Sequence, residues 1–397
     1  MKGLYTALVA SAISGAFAAP SPIEKGSVTA RAVAAKACAT AVTLSGNPFA
    51  SRTLHANAFY SSEVVAAASA IPDAAVAAKA LKVANIGTFQ WIDTRAKIDI
   101  VEAALTDIPC DHIVGLVIYD LPGRDCAAKA SNGELAVGEL NVYKTQYIDP
   151  IVALFKKYPK VAIALVIEPD SLPNLVTNID KQACKDSASG YREGVAYALK
   201  SLNLPNIIMY IDAGHGGWLG WNDNLKPGAK ELAQVYKNAG SPKQVRGVAT
   251  NVAGWNAYDL SPGEFSKATD AQWNKAQNEK EFIRLFSPEL KSAGMPSQAI
   301  IDTGRNGVQG LRKEWGNWCN INGAGFGTRP TGTTGNTLVD AFVWVKPGGE
   351  SDGTSDTSAT RYDSFCGKEE SFKPSPEAGA WHQEYFEMLV KNAKPPL

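Results

Sequence analysis

Short apolar runs alternate with longer amphipathic or Ala-rich stretches along most of the chain. The runs are Phe89 to Ile92, Ile113 to Tyr119, Val161 to Ile167, Ile207 to Ile211, Val245 to Ala249, Ala299 to Ile301 and Leu338 to Val345. Rich in Val and Ile, they predict strands buried on both faces. Between them, Glu63 to Leu81, Thr94 to Leu105, Val142 to Tyr158, Ala183 to Leu202, Ala229 to Asn238 and Glu279 to Ser292 carry helical patterning. Repeated strand and helix alternation predicts an α/β fold with a parallel sheet and helices outside. Closing that sheet into a β/α barrel removes both edges.

In a parallel barrel the C-terminal strand ends converge on one face, where active sites sit. Those ends carry Asp93, then Asp120 and Asp125, Glu168 and Asp170, Asp212, Asn251, Asp302, and Lys346 with Asp352. Any single Asp there reads as a helix cap as readily as a catalytic group. Carboxylates at nearly every crossover do not. The stretches Gly323 to Gly335 and Gly348 to Pro376 are too long for tight connections, and loops of that length are usually functional.

Composition narrows the partners. The 397 residues hold 39 basic and 39 acidic side chains with no run of five like charges, so nucleic acid is not an expected partner. Lys2 precedes the apolar stretch Leu4 to Phe17, and Ala16-Phe17-Ala18 has the small-x-small pattern of a signal-peptidase site. The stretch is shorter than the roughly 18 apolar residues of a membrane span. We therefore expect a secreted protein: a signal over 1–18, a short segment over 19–46 and one catalytic domain over 47–397. No Ser/Thr/Pro-rich linker or Cys-dense module precedes Asn47. Six cysteines in an oxidising compartment predict disulfides, with 15 connectivities open.

The four histidines, His55, His112, His215 and His382, show no metal-ligand spacing, and no nucleophile elbow, P-loop or dinucleotide fingerprint is present. No metal or cofactor is expected. The work falls to carboxylates in two motifs, Val117 to Cys126 and Val166 to Leu172, each following an apolar strand. Glycoside hydrolysis needs such a set, with one group protonated and another ionised. Trp218 and Trp221 flank the Ala213 to Gly217 turn, and Trp315 and Trp318 sit beside the Gly-rich loop. Indole stacks on the apolar faces of sugar rings, while Lys346, Glu350 and His215 suit their hydroxyls.

Four segments together resemble glycoside hydrolase family 6, and more narrowly its fungal cellobiohydrolase II type. They are Tyr119 to Cys126 (YDLPGRDC), Ile167 to Leu172 (IEPDSL), Asp212 to Trp221 (DAGHGGWLGW) and Trp344 to Asp356 (WVKPGGESDGTSD). The resemblance implies a distorted, roughly seven-stranded barrel with a loop-roofed tunnel or cleft. It implies hydrolysis of β-1,4-glucan with inversion, releasing cellobiose from non-reducing ends. Asp170 matches the general acid and Asp125 its companion carboxylate. Asp352 matches a residue proposed as base, paired here with Arg305 and Lys346, and a water relay through Asp125 and Ser131 is the competing account.

Further carry-overs concern binding. Tyr119 matches the residue that distorts the sugar at the cleavage point. Trp318 matches a platform on the non-reducing side, and Trp218 and Trp221 match platforms on the leaving-chain side. Asp212 and Asn251 join the sugar-binding set, with His55 standing where a tryptophan platform is usual. The family's disulfides correspond to Cys126 with Cys184 and Cys319 with Cys366, and whether Cys38 pairs with Cys110 stays open. Departures include Gly254-Trp255 in place of an Asn-Tyr pair and Ser351 at a position that is often Cys. An endo-acting glucanase on the same scaffold is the alternative, favoured by His55 and by the missing binding module. A non-catalytic glucan-binding barrel is disfavoured because Asp125, Asp170 and Asp352 are all retained. A monomer is expected.

Overall fold

The computed structural model describes residues 36–397, so the expected signal over 1–18 lies outside the described residues. Eight strands form one parallel sheet: β1 (Thr53–Leu54), β2 (Phe89–Ile92), β3 (His112–Ile118), β4 (Ile163–Ile167), β5 (Ile207–Asp212), β6 (Val245–Thr250), β7 (Gln298–Asp302) and β8 (Val339–Val343). Strands β3 to β8 pair in chain order, while β1 and β2 share one edge of β3, β1 low and β2 high. Opposite that edge, the Phe89 N–H donates to Trp344 O at 2.9 Å, just past the end of β8. The result is a nearly closed barrel of seven parallel strands, β2 to β8, as the alternation predicts.

The strands are apolar on both faces for the reason the sequence suggests. Along β4, Ala164 and Val166 point into the barrel beside Tyr210, Ala249 and Ala341, whereas Ile163, Leu165 and Ile167 point out against the helices. Small residues on the inner face leave room for the Tyr210 ring, whose hydroxyl donates to Asp340 Oδ2 at 2.8 Å. The segment ahead of Asn47 also belongs to the fold. Val42 and Leu44 join the inner core and hydrogen-bond to Pro159 and Pro205, so the expected boundary at residue 47 falls inside the domain.

Two helical expectations change. Glu63 to Leu81 is not one helix but two, Ala58–Ser69 and Ala74–Val83. Pro72 interrupts the run, and Asp73 caps the second helix by accepting from the Ala75 and Val76 N–H groups. Within Val142 to Tyr158, a widened π-helical turn spans Tyr143–Ile148 before the α-helix Asp149–Lys157. Such turns recur at functional sites. Here the turn buries two tyrosines under the site: Tyr143 donates to Glu168 at 2.7 Å, and the Tyr147 oxygen accepts from the Tyr119 N–H at 2.9 Å.

Three disulfides fasten the frame, Cys38–Cys110, Cys126–Cys184 and Cys319–Cys366. The first answers the question left open for Cys38 and Cys110.

Candidate active site

The C-terminal strand ends open into a cleft of about 520 Å³. Tyr119, Asp125, Ser131, Asp170, His215, Trp218, Trp318, Lys346, Glu350 and Asp352 all line it, drawn from loops after β3, β4, β5, β7 and β8. Two long segments cover it. Ala127, Ala128 and Ser131 contribute from one, Arg361, Phe365 and Gly379 from the other. They touch each other, since the Lys129 N–H donates to Asp363 Oδ2 at 3.0 Å. The cleft is therefore roofed.

Asp125, Glu168 and Asp170 adopt left-handed backbone angles, with φ of 55°, 48° and 59°. Non-glycine residues hold this conformation at a cost and only where the surroundings fix them. For Asp170 the fixings are visible. Its N–H donates to Asp212 Oδ2 at 3.1 Å, its carbonyl accepts from Asn174 Nδ2 at 2.6 Å, and Ser171 Oγ donates to the Glu168 carbonyl at 2.6 Å. Among the described residues the Asp170 carboxyl neither donates nor accepts a hydrogen bond, so it is left for a ligand.

Burial pushes the Asp170 carboxyl well above the ordinary range, and the neighbouring charges of Asp125 and Asp212 push the same way. Burial also raises Asp125, with the Ser131 hydroxyl and Arg124 pulling it back. Asp212 is raised to about 7, chiefly by burial, against two backbone N–H bonds that favour its charge. Like charges sharing a dry site cannot all ionise together. The proton is held best at Asp170.

Arg124 organises the loop above this set. Its guanidinium lies 4.3 Å from the centre of the Tyr119 ring and donates to the carbonyls of Asp93, Tyr119 and Ser131. Trp91 meets the Tyr119 ring edge-on, ring centres 5.1 Å apart. On the far wall, both oxygens of Asp352 accept from Arg305 Nη1 at 2.9 Å, and Oδ2 also accepts from the Asn320 N–H at 2.8 Å. Lys346 does not join that pair as expected. Its ammonium donates to the Ser351 carbonyl and stands 3.7 Å from Glu350, because the turn between 346 and 350 folds the side chain back along its own loop. Ser351, standing where Cys is frequent, donates to the Pro376 carbonyl at 2.9 Å and accepts from Asn320 and from the Gly353 N–H.

His215 is neutral: burial, with Arg312 nearby, drives its pKa down to about 3. The Gly217 N–H points at Nδ1 at 3.1 Å, which assigns the ring proton to Nε2.

Several nominated residues lie behind the cleft. His55 follows β1, which pairs with the start of β3, and its Nδ1 meets His112 Nδ1 at 2.9 Å. The Asn251 amide bonds within the protein, donating to the Asn256 and Asp302 carbonyls and accepting from the Asn256 N–H. Asp212 positions Asp170, and Arg305 positions Asp352. Trp221 does not line the cavity. It sits half-buried against Trp315, ring centres 6.3 Å apart, with Nε1 bonded to the Gly217 carbonyl. Trp315, expected from its place beside the Gly-rich loop, lines the cleft, and so do Trp91, Arg124, Trp255 and Arg312, which the sequence did not mark as sugar-binding. Arg124 stood inside a quoted motif, whereas Arg312 carried no local signal.

One consequence concerns stability. Burial raises the Asp120 carboxyl from 3.8 to about 9, with Arg124 at 3.5 Å opposing the rise. Unfolded, the group titrates near 3.9. The folded chain thus keeps a proton that the unfolded chain has released, and stability falls as pH rises through that window toward 9. Glu168, raised to about 7, acts in the same direction. Denaturant unfolding from about pH 5 to 9 is expected to show this decline, with Asp120→Asn flattening its alkaline part. An unchanged slope in that variant would assign the decline to other groups.

The family model of glycosyl hydrolases family 6 matches residues 49–393. The chain belongs to glycosyl hydrolase family 6. It is 63% identical to the 1,4-beta-D-glucan cellobiohydrolase CEL6C of Podospora anserina, with all of both chains covered. Exoglucanase 3 of Agaricus bisporus is 50% identical over 89% of this chain and 80% of its own. Among solved structures, cellobiohydrolase II (Cel6A) of Humicola insolens, in complex with glucose and cellotetraose, superimposes with a TM-score of 0.85. It is 48% identical and covers 89% of this chain and 100% of its own. As a family 6 member the chain is an inverting glycoside hydrolase, and all four motifs that carried the resemblance stand around the roofed cleft.

Proposed function

We propose that this family 6 hydrolase is a secreted cellobiohydrolase that cleaves β-1,4-glucan from non-reducing ends. The observation that carries the reading is the neutral-prone Asp170 beside Asp125 under a roof whose two segments touch. A roofed cleft admits a chain end more readily than the middle of a chain, which favours exo over endo action. Trp218, Trp315 and Trp318 supply stacking faces along it, and the relatives named above as cellobiohydrolase and exoglucanase agree.

In the proposed step Asp170 gives its hydrogen to the glycosidic oxygen as the bond from the anomeric carbon breaks. A water bonds to that carbon from the opposite face and passes its surplus proton, through Ser131 and solvent, to Asp125. Burial makes Asp125 a better proton acceptor than an ordinary carboxylate. Asp352, with both oxygens committed to Arg305 and Asn320, fixes the wall and the field there. Exchange of one proton between the two acids resets the site.

Two measurements test this. Proton NMR of fresh cellotetraose digests is expected to show the α-anomer first, as inversion requires. On carboxymethyl cellulose, viscosity is expected to fall slowly relative to reducing-sugar release, and early collapse would establish the endo reading instead.

A further inference from the structure

Nine tryptophans are present, and Trp273 alone among them is exposed, at 61%. One exposed apolar residue is ordinary on a protein surface. Its mounting is not. Trp273 ends a single 3₁₀ turn, Ala271–Trp273, after which side chains alternate: Trp273 and Lys275 out, Asn274 and Ala276 in. Asn274 is anchored at both ends of its amide, donating to the Gly216 carbonyl at 2.9 Å and accepting from the Ala276 N–H at 2.8 Å. Its backbone forms an antiparallel bridge with Trp221. Space between the two segments is tight enough that a Cβ on Gly220 would meet the Ala276 methyl at 2.5 Å.

The turn is therefore clamped onto the loop that carries Trp218 and Trp221. Trp315 lines the cleft wall, Trp221 packs against it, and the backbone of Trp221 bridges to Asn274, the residue next to Trp273. We infer that Trp273 is an additional sugar-stacking platform outside the cleft, engaging β-1,4-glucan chains at the surface of insoluble cellulose on the side of Trp218 and Trp221. This rests on the cellulase reading above. An indole carried on a backbone already anchored before the ligand arrives costs less to order on binding than one on a free loop, which suits a recruiting contact.

The test uses the full chain carrying Asp170→Asn, so that the solid is not consumed. Adding Trp273→Ala is expected to lower its partition onto microcrystalline cellulose roughly two- to tenfold, and Trp273→Phe to restore most of the loss. In the otherwise unaltered enzyme, Trp273→Ala is expected to slow sugar release from the solid while kcat/KM on cellotetraose stays as it was. Unchanged adsorption overturns the inference, and so does an equal fall in cellotetraose kcat/KM, which would make the effect structural. An unaltered enzyme that leaves cellotetraose intact removes the cellulase reading itself, a result distinct from either.

Discussion

Asp170→Asn is expected to lower turnover of cello-oligosaccharides by roughly 10²–10⁴-fold, the usual contribution of a positioned general acid. The substitution keeps the shape and the backbone clamp from Asp212 and Asn174 but removes the transferable proton. Binding should survive, because no partner among the described residues depends on that carboxyl, so KM or the dissociation constant should move little while kcat falls. A second signature separates lost acid catalysis from general damage. Substrates whose leaving group departs without protonation, such as β-cellobiosyl fluoride, should retain far more of their rate than cellotetraose. If both substrates slow equally, the proton donor is elsewhere, and if neither slows, Asp170 has no part in the chemistry.

Much of this site could be read from the chain because its chemistry is local. The left-handed turns at Asp125 and Asp170 follow directly on the apolar runs that become β3 and β4, so barrel geometry alone brings the two carboxylates to one face. What could not be read is contact through space. Lys346 and Arg305 are equally plausible partners for Asp352 on charge. Only the path of the 346–350 turn, which carries Lys346 toward Glu350, leaves Arg305 as the partner. The surroundings of His55 were hidden for a related reason. Its neighbours in sequence match a sugar-binding pattern, and β1 pairs with the start of β3, which sets its ring against His112, a register no periodicity specifies. Trp221 shows a third limit, since half its surface is spent against Trp315 and the loop beneath. The π-helical turn under Tyr119 was invisible because its residues do not distinguish a widened turn from an ordinary helical one, and its tyrosines reach the buried Glu168 carboxyl and Ile92 carbonyl.

Removing Arg305 should have the largest effect on folding of any single change at the site. Its side chain is 1% exposed and that of Asp352 is 7% exposed, so Arg305→Met leaves a carboxylate buried with only the Asn320 N–H to favour its charge. Breaking such a pair from one side costs roughly 3–5 kcal/mol, whereas replacing both partners by apolar groups is often near neutral. The guanidinium does more than pair: it lies 4.1 Å over the Trp255 ring and donates to the Ala253 carbonyl, tying the loop after β6 to the roof loop after β8. Arg305→Lys should therefore also fail, since an ammonium cannot serve both oxygens of Asp352, the indole face and the carbonyl at once. The measurement is a double-mutant cycle of Arg305→Met and Asp352→Leu, read by urea unfolding at neutral pH. Each single variant should lose most of that energy and the double variant should recover a large part of it. Single losses that simply add would mean that the two groups stabilise the fold independently, and the pair would then have no claim to fixing the wall against which the water approaches.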